Sequence, residues 1–210
     1  MIPLGTIATF FAASTLLALA PGPDNIFVLT QSAMRGKEAG LTVTIGLCTG
    51  LIVHTIAVAF GVAVIFQAST IAFTVLKLIG AGYLLYLAWQ IFRSHRSGTE
   101  INTKSRIKLS FWKLYRRGII MNVTNPKVSI FFLAFLPQFA DPKRGSLTLQ
   151  LMMLGGIFII STLLVFGSIA VLAGSLGEWL NRSEKTQKII NWIAGSIFVG
   201  IALKLLSTER

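Results

Sequence analysis

Two long stretches of this sequence carry no charged side chain. Residues 39–76 contain no Asp, Glu, Lys or Arg, and neither do residues 145–177. Each stretch exceeds the roughly 20 apolar residues that cross the hydrocarbon core of a bilayer as a helix. Charged residues make up 12% of the chain, against about 25% in an average soluble domain. We therefore predict an all-α integral membrane protein rather than a soluble or disordered chain.

Shorter uncharged runs complete a set of six predicted membrane helices. Their approximate ranges are 4–34, 40–66, 69–92, 113–139, 147–176 and 187–207. These helices leave too little chain for a soluble domain, so residues 1–210 are predicted to form a single membrane domain. It divides into a first repeat over about 1–92, a basic cytoplasmic loop over about 93–112 and a second repeat over about 113–210.

The positive charges concentrate in alternate loops of this arrangement. Thirteen of the 19 Lys and Arg residues follow helix 1 or lie between helices 3 and 4 or helices 5 and 6. The opposite loops hold only Lys143 and Arg144. The positive-inside rule then places both termini outside and the loop over residues 93–117 in the cytoplasm. The net charge of +12 is thus a topology signal, because short loops do not supply the folded basic surface that binds nucleic acid.

The two halves of the chain resemble each other weakly. Pro23-Asp24 in helix 1 corresponds to Pro126-Lys127 in helix 4, and glycines of helices 2 and 5 match at an offset of 106. With three helices in each half, the second half is predicted to be inverted relative to the first. Inverted repeats around a site at the membrane midplane are typical of secondary transporters.

Both matching segments are predicted to break their helices, because proline removes a backbone hydrogen bond and clashes with the preceding turn. The residues that break helices 1 and 4 are Pro21, Gly22, Pro23 and Pro126. Each break begins a half-helix whose free N–H groups and dipole favour an anion. Asp24 and Lys127 each lie about 15 Å from a cytoplasmic basic cluster at ~1.5 Å per residue, which is roughly the bilayer midplane.

These two charged residues, with their neighbours, form the predicted substrate site. A cation is unfavourable beside the N-terminus of its own half-helix, so Lys127 is expected to face Asp24 or a substrate carboxylate. Two structural interpretations stay open: Asp24 complements the helix dipole, or the two residues form a buried structural pair. The predicted substrate-binding residues are Asp24, Asn25, Asn125 and Lys127.

Other polar residues are weaker candidates. His54 lies on one face of helix 2 with Gly46 and Gly50, and imidazole can relay protons near neutral pH. The alternative is a packed histidine that is hydrogen-bonded to a neighbouring helix. Gln31 and Asn122 are candidates for lining a cavity, because amides in a membrane need partners.

The single cysteine and two histidines favour no metal site. We also expect no cofactor and no enzymatic activity, because P-loop, HExxH and GxSxG motifs are missing.

At this point the chain resembles a known family. Pro21-Gly22-Pro23 in a charge-free first segment and Asn125-Pro126-Lys127 at the start of the second half are similar to motifs of the LysE/RhtB superfamily of amino-acid exporters. The resemblance covers essentially the whole chain. It implies export of amino acids or close derivatives by proton antiport, with substrate, protons and the lipid bilayer as partners. It names neither the substrate nor the oligomeric state, so a homo-oligomer stays open. A channel or a structural membrane protein is the alternative.

Overall fold

The computed structural model describes residues 2–62, 70–93 and 110–181, together with separate positions between 189 and 206. Regular structure in these described residues is helical throughout. Its α-helices are α1 (Leu4–Leu19), α2 (Pro23–Arg35), α3 (Lys37–Ala57), α4 (Thr70–Arg93), α5 (Phe111–Val123), α6 (Pro126–Ile130) and α7 (Leu147–Asn181). A π-helical turn extends α3 over Val58–Val62, and α6 continues through a π-helical turn and a 3₁₀ turn to Phe139.

Two helices of the described chain are long and apolar enough to span a membrane, and two bent helix pairs meet the same criterion when each pair is taken as one span. Lys37–Gly61 and Leu147–Ala173 do so as single helices. The pair α1 and α2 bends by 62° at its break, and the pair formed by α5 and Pro126–Phe139 bends by 49°. The predicted breaks in helices 1 and 4 are thus confirmed.

Helix boundaries differ from the predicted ones mainly at charged ends. α3 begins at Lys37 rather than near residue 40, and α7 continues to Asn181 rather than 176. A helix does not stop where the apolar run stops, since its backbone hydrogen bonds can continue into the polar interface. The predicted sixth helix over 187–207 and the basic loop over 93–112 lie mostly outside the described residues. The six-helix inverted repeat therefore stays a prediction.

Close helix packing positions the second break. A Cβ on Gly118 of α5 would lie 3.0 Å from the Gly46 Cα of α3, and a Cβ on Gly50 would lie 2.7 Å from the Asn122 side chain. Glycines at these positions let the two helices approach closely. The predicted packing role of the Gly46 and Gly50 face is confirmed, and it presses the end of α5 against α3.

Aromatic rings fill the space around the segment that follows the second break. Phe131, Phe132 and Phe135 are at most 2% exposed. The Phe131 ring lies 4.7 Å from that of Phe135 and 5.3 Å from that of Phe158 on α7. Phe10 of α1 belongs to the same buried cluster. Burial of these rings anchors the broken segment between α1 and α7.

Candidate functional site

The two helix breaks lie against each other. Pro23 begins α2 after the extended Gly22, and Pro126 begins α6 after Asn125. Asn125 Nδ2 donates to Asp24 Oδ2 at 2.8 Å, which joins residues 101 positions apart. Local proline chemistry thus sets each break, and this hydrogen bond connects the first half of the chain to the second.

Lys127 binds the end of α1 rather than a carboxylate. Its Nζ donates to the carbonyl oxygens of Ala20 at 3.1 Å and Leu17 at 3.3 Å. The last carbonyls of a helix have no partner within it and form the negative end of its dipole. No ion pair within 4.0 Å joins Lys127 to Asp24 in the described chain. The carbonyls of another helix stabilise the charge of Lys127 in this structure. The expected contact of Lys127 with Asp24 or a substrate carboxylate stays a prediction.

Asn125 accepts hydrogen bonds from the backbone N–H groups at the start of α6. Its Oδ1 accepts from the Lys127 backbone N–H at 3.0 Å, and its carbonyl oxygen accepts from the N–H groups of Val128 and Ser129. Pro126 has no N–H. The predicted anion site formed by free N–H groups after Asn125 is therefore wrong, because the segment satisfies those donors itself.

Acceptor atoms without donors remain near the two breaks. Oδ1 of Asp24, Asn25 and Asn122 are buried without a hydrogen-bond partner. Asn25 uses its other atom, Nδ2, to donate to the Ala18 carbonyl at 2.7 Å. A buried acceptor without a donor costs about 1–3 kcal/mol. Lys127 has three N–H donors, and its two hydrogen bonds within the described residues leave one of them. Asp24 Oδ1 can therefore accept from an ammonium group, and Lys127 can donate to one further acceptor.

Gly22 leaves the space that the Lys127 side chain occupies. A Cβ at this position would lie 3.0 Å from Lys127 Nζ and 3.6 Å from its Cε. The Gly22 backbone is extended, with φ at −171°, so any residue can adopt its conformation. Glycine is favoured here by the approach of the amine and not by backbone geometry.

His54 is hydrogen-bonded to the neighbouring helix. Its Nε2 lies 3.3 Å from the Asn122 carbonyl oxygen, and its ring centroid lies 5.5 Å from that of Phe132. A carbonyl only accepts, so Nε2 carries the hydrogen in this contact. The geometry is that of the packed histidine, and a proton relay through His54 stays a prediction.

A group of buried hydroxyls lies outside the predicted site residues. The hydroxyl oxygens of Ser14, Thr15, Ser161 and Thr162 are buried without a partner. Gln31, a predicted cavity residue, also has an unpartnered Oε1. A visible signal was the Ser-Thr dipeptide that occurs in both α1 and α7.

Comparisons with known proteins identify the family and the relatives of this chain. The family described as LysE type translocator matches residues 15–209. The homoserine/homoserine lactone efflux protein of Salmonella typhi is 34% identical over 201 residues, which cover 96% of each chain. An uncharacterized membrane protein of Vibrio cholerae is 33% identical over 202 residues, again with 96% of each chain covered. No solved structure matches. The chain belongs to the LysE-type translocator family of membrane transporters.

Proposed function

We propose that this protein exports small amino acids or close derivatives from the bacterial cytoplasm as a secondary carrier. One observation carries the proposal: Asp24 is 2% exposed at a helix break, and its Oδ1 has no partner. A carboxylate buried in this way is costly unless a donor reaches it. The relatives named as homoserine/homoserine lactone efflux proteins suggest homoserine and its lactone as the first substrates to test.

The proposed binding mode uses the atoms that the protein leaves unpartnered. The substrate ammonium donates to Asp24 Oδ1 and to the amide oxygens of Asn25 and Asn122. Its carboxylate, or the carbonyl oxygen of a lactone, accepts from the remaining N–H of Lys127. Asn125 positions Asp24 through its 2.8 Å hydrogen bond. This assignment retains the predicted binding residues but gives Asn125 a positioning role.

Proton coupling follows from the same carboxylate. A proton and a substrate ammonium compete for Asp24, so release of the substrate on one side allows protonation there. The chain then acts as a proton antiporter without a separate proton site. Alternating access would come from movement of two inverted three-helix repeats, with both termini in the periplasm and the site near the midplane of the inner membrane.

Counterflow in liposomes tests the carrier. Purified protein should exchange labelled homoserine against unlabelled homoserine inside the vesicles, and an imposed proton gradient should drive homoserine opposite to proton flow. Ion conductance without counterflow would instead establish the channel alternative and contradict the proposal.

The Asp24→Asn/Lys127→Gln double variant tests the site. It removes both charges and should reach the membrane at normal levels but catalyse no counterflow. Asp141→Asn is the matched control, because Asp141 lies in a loop and pairs there with Arg144; its counterflow should equal that of the wild type. Normal counterflow by the double variant would show that the two charges are structural.

A further inference from the structure

One face of α2 carries polar atoms that have no partner. Asp24, Gln31 and Arg35 lie within about 40° of one another around this helix, because seven and eleven residues are close to two and three full turns. Oδ1 of Asp24, Oε1 of Gln31, and both Nε and Nη1 of Arg35 are buried without a hydrogen-bond partner. From the helix break to the last turn of α2, this face therefore presents a carboxylate oxygen, an amide oxygen and guanidinium donors, all unsatisfied.

This face points into the protein. Val28 lies within about 60° of all three polar residues around the helix and is 0% exposed. It shares a buried cluster with Val43 of α3, Leu114 of α5 and Phe166 of α7. Gln31 is 7% exposed. The unpartnered atoms of α2 are thus directed toward three other helices and not toward lipid.

Arg35 does not behave as an ordinary basic residue at the end of a helix. Such a residue donates to the free carbonyls of the last turn or extends its charge to the membrane surface. Nε and Nη1 of Arg35 are instead buried without an acceptor, although the residue as a whole is partly exposed. Burial of charged donors without an acceptor is unfavourable, so these atoms call for an anion.

Gln31 supplies the opposite kind of atom one turn away. Residues four apart on a helix are neighbours, with Cβ atoms about 6 Å apart, yet Gln31 Oε1 accepts from neither nitrogen of Arg35. Both groups therefore remain available to a ligand that carries an anion and a donor close together. An α-amino acid carries its carboxylate and its ammonium on the same carbon atom, which matches this spacing.

We propose that Arg35 and Gln31 form an entry subsite for the exported amino acid, between the predicted cytoplasmic surface and Asp24. The guanidinium of Arg35 donates to the substrate carboxylate, and Gln31 Oε1 accepts from the substrate ammonium. Helical rise places Gln31 about 10 Å and Arg35 about 16 Å from Asp24 along α2, so the substrate moves inward along one helix face. The helices packed on α2 separate to admit it, as alternating access requires. The inference rests on the proposed export function and adds the residue that recognises the carboxylate.

Homoserine and homoserine lactone provide the test, because both carry an amino group but only homoserine has a free carboxylate. Arg35→Gln should raise the KM of homoserine counterflow about tenfold, equivalent to about 1.4 kcal/mol, and leave the KM of the lactone unchanged. Arg35→Lys keeps the charge but loses the planar set of donors, so its homoserine KM should be intermediate. Gln31→Leu removes the amide oxygen and should raise the KM of both compounds.

Lys37→Gln is the matched control, since Lys37 lies two residues beyond Arg35 and is exposed. It removes a positive charge from the same end of α2, and both KM values should stay at the wild-type level. If Arg35→Gln does not reach the membrane, Arg35→Lys decides by the same comparison, because it retains the charge that orients the helix.

The two compounds also separate failure of the subsite from failure of the export function. Unchanged KM values in the Arg35 variants, or equal changes for both compounds, would overturn the subsite and leave the export function intact. Equal changes are the result expected if Arg35 binds the phosphate of a lipid headgroup. A wild-type protein that catalyses counterflow of neither compound would overturn the proposed function and the subsite with it.

Discussion

Gly22→Ala is a small change with a large expected effect on transport. The added Cβ would lie 3.0 Å from Lys127 Nζ, whereas ordinary Cβ contacts lie at 3.4–4 Å. The amine must therefore retreat by about 0.4 Å. Its 3.3 Å bond to the Leu17 carbonyl is already long for an N–H donor, so a further 0.4 Å takes it out of hydrogen-bond range.

The loss of transport in Gly22→Ala can be estimated from the hydrogen bond between Lys127 Nζ and the Leu17 carbonyl. A hydrogen bond to a charged group contributes about 1.5–3 kcal/mol, and 1.4 kcal/mol corresponds to tenfold in an equilibrium constant. We expect homoserine counterflow to fall by about tenfold in Gly22→Ala. Gly22→Val adds two more carbon atoms against the amine and should abolish counterflow.

Gly156→Ala is the matched control for this series. A Cβ on Gly156 of α7 meets nothing within 4 Å, so the substitution adds the same atom to open space. Counterflow should be normal, with membrane levels of all variants compared by quantitative blotting. Wild-type counterflow by Gly22→Ala at an equal membrane level would refute the link between amine position and transport.

Three further predictions concern the hydrogen bond between Asn125 and Asp24, the crossing of α3 and α5, and the membrane topology. Asn125→Ala removes the donor to Asp24 and the cap of α6. We expect the free energy of unfolding to fall by about 1–2 kcal/mol, measured by thermal unfolding in detergent. We also expect strongly reduced counterflow in the liposome assay. Gly118→Val should lower the unfolding temperature, because the close approach of α3 to α5 leaves no room for a side chain; an unchanged unfolding temperature would contradict that crossing. Reporter fusions at Arg210 and Lys104 should be active in the periplasm and in the cytoplasm, respectively, and a cytoplasmic signal at Arg210 would contradict the proposed orientation.

The helix breaks were predictable because their causes are local. Proline lacks an N–H and clashes with the preceding turn wherever it occurs in a helix, so residues 21–23 and Pro126 identify both breaks without any tertiary information. The cap of α6 was predictable for the same reason, since Asn125 binds the Lys127 N–H only two residues away. Counting helical rise from the basic loops also predicted a common depth for Asp24 and Lys127, and the contact between the breaks agrees with it.

The partners of Lys127 were not predictable from its own neighbours. In the sequence it follows a helix start, where a cation is electrostatically unfavourable. In the structure its long side chain reaches the end of α1, where a cation is favourable. The relevant dipole belongs to a helix 107 residues away along the chain, and no local pattern encodes that approach. The unpartnered hydroxyls were not predictable for a related reason, because the sequence does not show which Ser and Thr residues donate a hydrogen bond to their own helix.

Separate anchoring of the two charges favours exchange of a bound substrate. In a direct ion pair, Asp24 and Lys127 would satisfy each other, and a substrate would have to separate two buried opposite charges at a cost of several kcal/mol. Here α1 carbonyls hold Lys127, and Asn125 holds one oxygen of Asp24. The other oxygen of Asp24 is free for an ammonium or a proton within the described site. In the proposed transport cycle, binding therefore begins without breaking either anchor, and a proton replaces the substrate at the same oxygen. A carrier that must bind and release its substrate in every cycle needs this arrangement more than it needs a stable ion pair.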